Sequence, residues 1–252
     1  MNHGQHEDFA DCSGYLLGLS KEQRDALSKG AGEADYLPDV RCSVPFHGMF
    51  PGTWSALCHF EPGYRWNDDR SLGILEELGD AGLHLARSTV DGTSAPMLAA
   101  CADQPGAVLS DFRFPSASQM GSYWSTAPFG SPECGRALHM VQDACCPHHA
   151  WGALLWGHQE FEDELETEWD RHRRMLKLSG SDVTFTGKVR SELAGISSAT
   201  VGQLILSNAA WARDWFGQPH RLEECPWDSM LAVCIRAVAS TMRAIQLMRG
   251  TA

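Results

Sequence analysis

His139 and Asp143 stand four residues apart, and His158 and Glu162 repeat that spacing further along the chain. A separation of four puts two side chains on one face of an α-helix, one above the other, so each pair can grip a single ion. Between the pairs, Pro147 ends a first helix. The stretch HMVQDACCPHHAWGALLWGHQEFEDELE therefore reads as two helices joined by a turn that carries His148 and His149. Leu138, Val141, Leu154 and Leu155 lie close by, which sets these polar groups beside a core. Two helices presenting such pairs inward, with a turn histidine between them, is how a helical bundle builds a metal cluster. Imidazole and carboxylate suit zinc, and also iron or manganese. His149 is the expected turn ligand, and one of the two turn histidines, His148, is expected to be solvated and not a ligand. Glu160, Asp163, Glu164, Glu166 and Glu168 read as a solvated helix face.

The rest of the chain is patterned mainly for helix. Ser20 is placed to cap KEQRDALSKG, with Gln23 as its capping-box partner and Gly30 as the stop. RSLGILEELGDAGLHLAR spaces its leucines as an amphipathic helix, on which His84 reads as packing or surface. Further helices are expected over roughly 133–146, 156–176 and 198–217. The segment PWDSMLAVCIRAVASTMRAIQLM starts with a proline suited to a first helical turn. It carries Leu231, Cys234, Ile235, Val238, Met242 and Ile245 as one apolar stripe, read as packed core. Residues 36–68 and 103–132 read as irregular structure, the second with room for a short hairpin through AVLSDFRF. The expected fold is thus mostly α: a single-domain helical bundle, residues 1–252, with long functional loops.

Composition narrows the setting. The apolar fraction of 43% and charged fraction of 21% are those of an ordinary globular chain long enough for a substantial core. No unbroken apolar run of membrane-spanning length occurs, and the start MNHGQHEDFADCSGYLL lacks the basic and apolar blocks of a signal peptide. The expected location is cytoplasmic. Nine cysteines, odd in number and adjacent at Cys145 and Cys146, fit free and mostly buried thiols better than disulfides. A net charge of −12 disfavours a sequence-independent grip on polynucleotides. It leaves room for a small phosphorylated substrate if bound cations reverse the local field.

The pattern His139-xxx-Asp143-xxxxx-His149, with a proline ahead of the third position and His158-xxx-Glu162 following, resembles the zinc-dependent phospholipases C. It is similar, somewhat less closely, to the fungal single-strand-specific nucleases that share their fold. The stretch between His149 and His158 is shorter than in that family. Upstream, GAGEADYLPD and SALCHFEPG resemble the family's aspartate and histidine ligand regions. They point to Asp35 and His59, with Asp39 and His47 as rivals because the spacer is longer. The start MNHGQH sets His6 at the distance from residue one at which the nucleases carry a ligand histidine; His3 competes. Asparagine at position two implies a retained Met1. The resemblance covers residues 1–175 and leaves 176–252 without a family signal.

The resemblance implies three zinc ions in a cleft. One would be held by Asp35, His59, His139 and Asp143, and a second by His149, His158 and Glu162. The third would take the Met1 backbone and His6, with Asp143 bridging to the first. It further implies phosphoester hydrolysis by a zinc-activated water, with Asp35 as candidate general base and Trp54, Trp66, Tyr123, Trp124 and Trp151 as candidate pocket walls. Three alternatives stay open: a phospholipase C or nuclease proper, a biosynthetic enzyme using zinc or iron for a non-hydrolytic reaction, and metals serving only as structural staples.

Overall fold

Helix α1 (His3–Leu16) ends one residue before the turn at Gly18, whose φ of 70° is a backbone region that glycine enters without strain. Helix α2 (Lys21–Glu33) then starts from a complete capping box. Ser20 Oγ accepts from Gln23 N–H, and the Gln23 side chain accepts from Ser20 N–H, each at 3.2 Å. The coordinates are a computed structural model that describes residues 1, 3–34, 59, 61, 64–65, 113–114, 116–151, 158–179, 183–216 and 229–250. The expected helix at RSLGILEELGDAGLHLAR, with His84, lies outside the described residues, as do Trp54 and Trp66.

After β1 (Tyr64–Arg65) and β2 (Arg113–Phe114), which pair antiparallel, the described residues are mainly helical. The helices are α3 (Ala117–Trp124), α4 (Pro132–Asp143), α5 (Pro147–Trp151), α6 (His158–Ser179), α7 (Val183–Gly195), α8 (Val201–Phe216) and α9 (Ser229–Arg249). The mostly α architecture matches the expectation.

Two expectations need correction. Gly30 does not stop α2, which runs on to Glu33. A Cβ built at Gly30 would lie 1.9 Å from the Pro132 carbonyl oxygen, and one at Gly135 would lie 2.2 Å from the Leu27 oxygen. These glycines let the α2 and α4 backbones touch, a packing need that the sequence signal for a helix stop resembles. The stretch 103–132 is not irregular throughout, because α3 lies in it. A second capping box starts α3, with Ser116 N–H donating to Gln119 Oε1 at 2.9 Å and Gln119 N–H to Ser116 Oγ at 3.4 Å. Strand β2, the end of AVLSDFRF, pairs with Tyr64–Arg65; the rest of the hairpin expected there lies outside the described residues.

Helix α4 is the centre of the bundle. It packs against α1, α2, α3, α8 and α9, and its residues from Ala137 through Asp143 are all buried. Helix α9 packs against α1, α4, α6, α7 and α8, and Cys234, Val238, Met242 and Ile245 from the expected stripe are buried in the core. By length and composition Ser229–Met248 could cross a membrane, even without an unbroken apolar run; here 67% of its apolar window is buried inside the fold. The interior of α9 is not uniformly apolar. Arg236 donates to Asn208 Oδ1 at 3.0 Å and to Glu192 at 2.6 Å, and Ser240 also donates to Asn208 Oδ1 at 3.0 Å. Such pairing is what lets buried polar groups persist in a core.

Candidate metal centre

The close approach of α2 and α4 sets the first ligand candidate. Gly135 and His139 share a face of α4, so the contact at Gly30 and Gly135 brings the Ala31 carbonyl to His139 Nδ1, at 2.7 Å. A backbone carbonyl only accepts, so His139 Nδ1–H is the donor and Nε2 is the ring nitrogen left to face the cluster. That Nε2 faces inward, 2.9 Å from Asp143 Oδ2 and 2.9 Å from His59 Nδ1.

The same logic fixes His6. Thr241 Oγ1–H donates to the Ala237 carbonyl at 2.7 Å, so Oγ1 accepts from Gln142 Nε2 at 3.2 Å. That orients the Gln142 amide and leaves its Oε1 to accept from His6 Nδ1, at 2.6 Å. His6 Nε2 is then turned inward, 3.2 Å from Asp143 Oδ1 and 3.2 Å from the Met1 carbonyl oxygen. His149 repeats the pattern. Its Nδ1 donates to the His59 carbonyl at 3.3 Å, and its Nε2 lies 3.1 Å from His158 Nε2 and 3.5 Å from Glu162 Oε1.

Three imidazoles thus aim Nε2 lone pairs at carboxylate oxygens, a carbonyl oxygen or other ring nitrogens. Lone pairs facing lone pairs repel unless a proton or a cation lies between them. Asp143 makes the point most sharply. Its Oδ2 is buried and accepts no hydrogen bond, although His139 Nε2, His59 Nδ1 and His149 Nδ1 lie 2.9, 3.1 and 3.6 Å away. A buried carboxylate oxygen ringed by nitrogens outside hydrogen-bonding geometry fits a cation. The nitrogen and oxygen separations also approach the edge of about 3.3 Å expected for a tetrahedron of ligands about 2.0–2.1 Å from zinc.

Among the described residues, two groups have donor atoms close enough to hold a metal ion: the buried His6, His139 and Asp143, and Cys146 and His149 with the half-buried His158. Met1 joins them. Its amine lies 3.4 Å from Asp143 Oδ1 and also contacts Glu162. His158 and Glu162, one turn apart on α6, meet at 2.9 Å.

The electrostatics follow from this crowding. Burial pushes the Asp143 carboxyl up, but His149, His139, the Met1 amine and His6 outweigh it and hold the group well below the usual carboxylate range. Burial likewise raises Glu162, and the Met1 amine with His158 brings it well below its ordinary value. The two histidines that touch divide in response. Burial lowers His149 to about 4 against the opposing pull of Asp143. Burial also lowers His158, but Glu162 overcomes it and raises the ring to about 10.

The structure brings together Met1, His6, His59, His139, Asp143, His149, His158 and Glu162 from the first residue, α1, α4, α5, α6 and the isolated position of His59. Asp35 lies outside the described residues, as do its rival Asp39 and the rival to His59, His47. His3 sits elsewhere, partly exposed, with Nδ1 on the Gly32 carbonyl and Nε2 3.4 Å from Glu7. One expectation fails: neither turn histidine is solvated. His148 is fully buried, stacked on His158 with ring centroids 4.9 Å apart and tilted against Phe161. The short α5 following Pro147 folds the turn inward and buries both rings. On α6, Glu160, Asp163 and Glu166 are exposed as expected, while Glu164 and Glu168 are half-buried, and Glu168 pairs with Arg171 and His172.

Of the aromatic candidates, Trp124 is core, Tyr123 is exposed, and Trp151 lies on α5 with Arg213 5.9 Å from its ring centre. The sequence pattern passed over Gln142 and Cys146. Gln142 is found only through its hydrogen bonds, whereas Cys146, just before the helix-breaking proline, carried a usable signal in its position. Compared with known protein families, curated proteins and solved structures, the chain has no significant match.

Proposed function

We propose that the chain is a metal-dependent hydrolase that cleaves a phosphoester bond of a small substrate at a trinuclear zinc site. The observation that carries this reading is the inward turn of Nε2 on His6, His139 and His149 toward Asp143 and Glu162. The motif resemblance to the zinc-dependent phospholipases C supports it, and the donor set of imidazole and carboxylate suits zinc. His59, His139 and Asp143, with Asp35, would hold one ion. His149, His158 and Glu162 would hold a second, and Met1, His6 and Asp143 a third.

When bound, zinc supplies Lewis acidity and lowers the pKa of water from about 16 toward about 7. The residues of the chain do the remaining work. The carbonyls of Ala31 and His59 and the amide of Gln142 hold the three rings in the tautomer that keeps Nε2 free to ligate. The packed helices around α4 keep bulk water from Asp143. Asp35 is the candidate to accept a proton from the attacking water, because a carboxylate at the centre can serve as general base. The net charge of −12 would repel a phosphate elsewhere on the molecule, so a cation-loaded centre is where such a group would settle.

The test pairs metal analysis of untagged protein with a screen of phosphomonoesters and phosphodiesters. Zinc at more than one ion per chain, with hydrolysis lost on chelation and restored by zinc, is the expected result. Iron in an absorbing di-iron centre, without hydrolysis of any ester, overturns the reading.

A further inference from the structure

Cys146 occupies the last position before Pro147, where its carbonyl accepts the Ala150 N–H at 3.0 Å and its own N–H donates to the Asp143 backbone carbonyl at 2.8 Å. These two bonds bracket the turn between α4 and α5 and hold the side chain against the metal cluster. The sulfur and one ring nitrogen from each of His149 and His158 lie within 4.8 Å of one another, and Cys146 is fully buried. Its other near neighbour is His148 Nδ1, at 3.9 Å, the long end of a sulfur hydrogen bond. The adjacent Cys145 points elsewhere, with its sulfur 3.5 Å from the Val141 carbonyl of its own helix. Beside the group, Asp143 Oδ2 is buried without a hydrogen bond, as a site built for a cation leaves its acceptors.

We propose that Cys146 is a thiolate ligand to the ion held by His149, His158 and Glu162. The four donors come from a turn and two helix starts, and they complete a tetrahedral set of one sulfur, two nitrogens and one oxygen. Ligand edges of about 3.3–3.6 Å are expected for zinc with nitrogen at about 2.0–2.1 Å and sulfur at about 2.3 Å. His149, His158 and Glu162 already stand 2.9 to 3.5 Å apart.

Two consequences follow. A site with four protein donors is closed, as structural zinc sites are, so this ion would act as a structural staple of the cluster. A thiolate also makes this ion selective for zinc over manganese or magnesium, which prefer oxygen donors. The inference rests on reading the cluster as a metal centre, but not on the reaction it performs.

The test uses the intact chain purified from cells grown with cobalt, so that no metal is stripped. Sulfur bound to cobalt gives an intense near-ultraviolet charge-transfer absorption that nitrogen and oxygen ligands do not. The expected result is such a band in the parent protein, retained in Cys145→Ser and lost in Cys146→Ser and Cys146→Ala. Metal affinity at one site should fall at least about tenfold, the lower end of what even an outer-shell partner's loss costs. No band in the parent, or a band that survives Cys146→Ala, overturns the proposal. Should the variants fail to fold, X-ray absorption of the zinc-loaded parent decides: a sulfur scatterer at about 2.3 Å supports it, and nitrogen and oxygen alone at about 2.0–2.1 Å overturn it. Ester hydrolysis without a sulfur signature removes this proposal and leaves the phosphoesterase reading standing. The signature without hydrolysis does the reverse.

Discussion

The cluster has two halves that are held in different ways. Around His139 and Asp143 the side chains are 1% exposed, and every ring is tied to a partner on another helix. Around His158 and Glu162 the side chains are each 13% exposed, and both ligands stand at the start of α6. The first half depends on two glycines that let helix backbones meet; the second depends on a proline turn and on helix starts. Precision in the first comes from packing, which is stiff because interiors are dense. The second stands at helix termini, which have fewer neighbours to displace and leave its side chains slightly more exposed.

Asp143 is the residue common to both halves, since its Oδ2 lies near His59 and His139 on one side and His149 on the other. Asp143→Ala therefore has the largest expected effect: loss of more than one metal ion per chain and of all esterase activity, measured by metal analysis and turnover. Retention of full metal content would break the comparison by showing that Asp143 does not bridge two ions.

Gly135→Ala comes next. The added methyl would meet the Leu27 carbonyl, and overpacking of this kind typically costs about 1–3 kcal/mol. For a chain of this size each kcal/mol lowers Tm by about 2–4 °C, readable by calorimetry. Metal bound by the His139 half should weaken with it, while the His149 and His158 half keeps its affinity.

Gln142→Ala sharpens the contrast without disturbing the backbone. It releases His6 Nδ1 from its fixed acceptor, and metal affinity at the His6 side should fall about 10–100-fold by titration. Thr241→Val should act in the same direction but less, because it only frees the Gln142 amide to turn. Ser116→Ala gives the smallest effect, about 1 kcal/mol of stability from the lost cap on α3, with metal content unchanged.

A pH series on metal-free protein adds one more test. Asp143 and Glu162 both titrate below their ordinary values when folded. Their contribution to stability is therefore present above the unfolded carboxylate values, near pH 4, and is lost as pH falls through the lower folded values. Asp143→Asn should flatten that acid limb in a denaturation series.

Much of this was legible in the chain. The spacing of four within His139/Asp143 and His158/Glu162 fixes a shared helix face, because helical periodicity is local and needs no partner. The Ser20 box was read directly, and the Ser116 box, of the same form, was equally open to reading. What resisted was anything decided by a neighbour distant in sequence. Gly30 carries the signature of a helix stop, yet it serves as a contact with Pro132. His148 carries the signature of an exposed turn, yet it is stacked on His158.

The sequence by itself determined which residues could share a helix face and that imidazole and carboxylate would be gathered near a core. Only the tertiary structure decided which nitrogen of each ring faces the cluster and that a cysteine borders it. The physical reason is that a tautomer is set by the partner of the opposite ring nitrogen. Those partners, Ala31, Gln142 and His59, reach His139, His6 and His149 only after distant segments have packed.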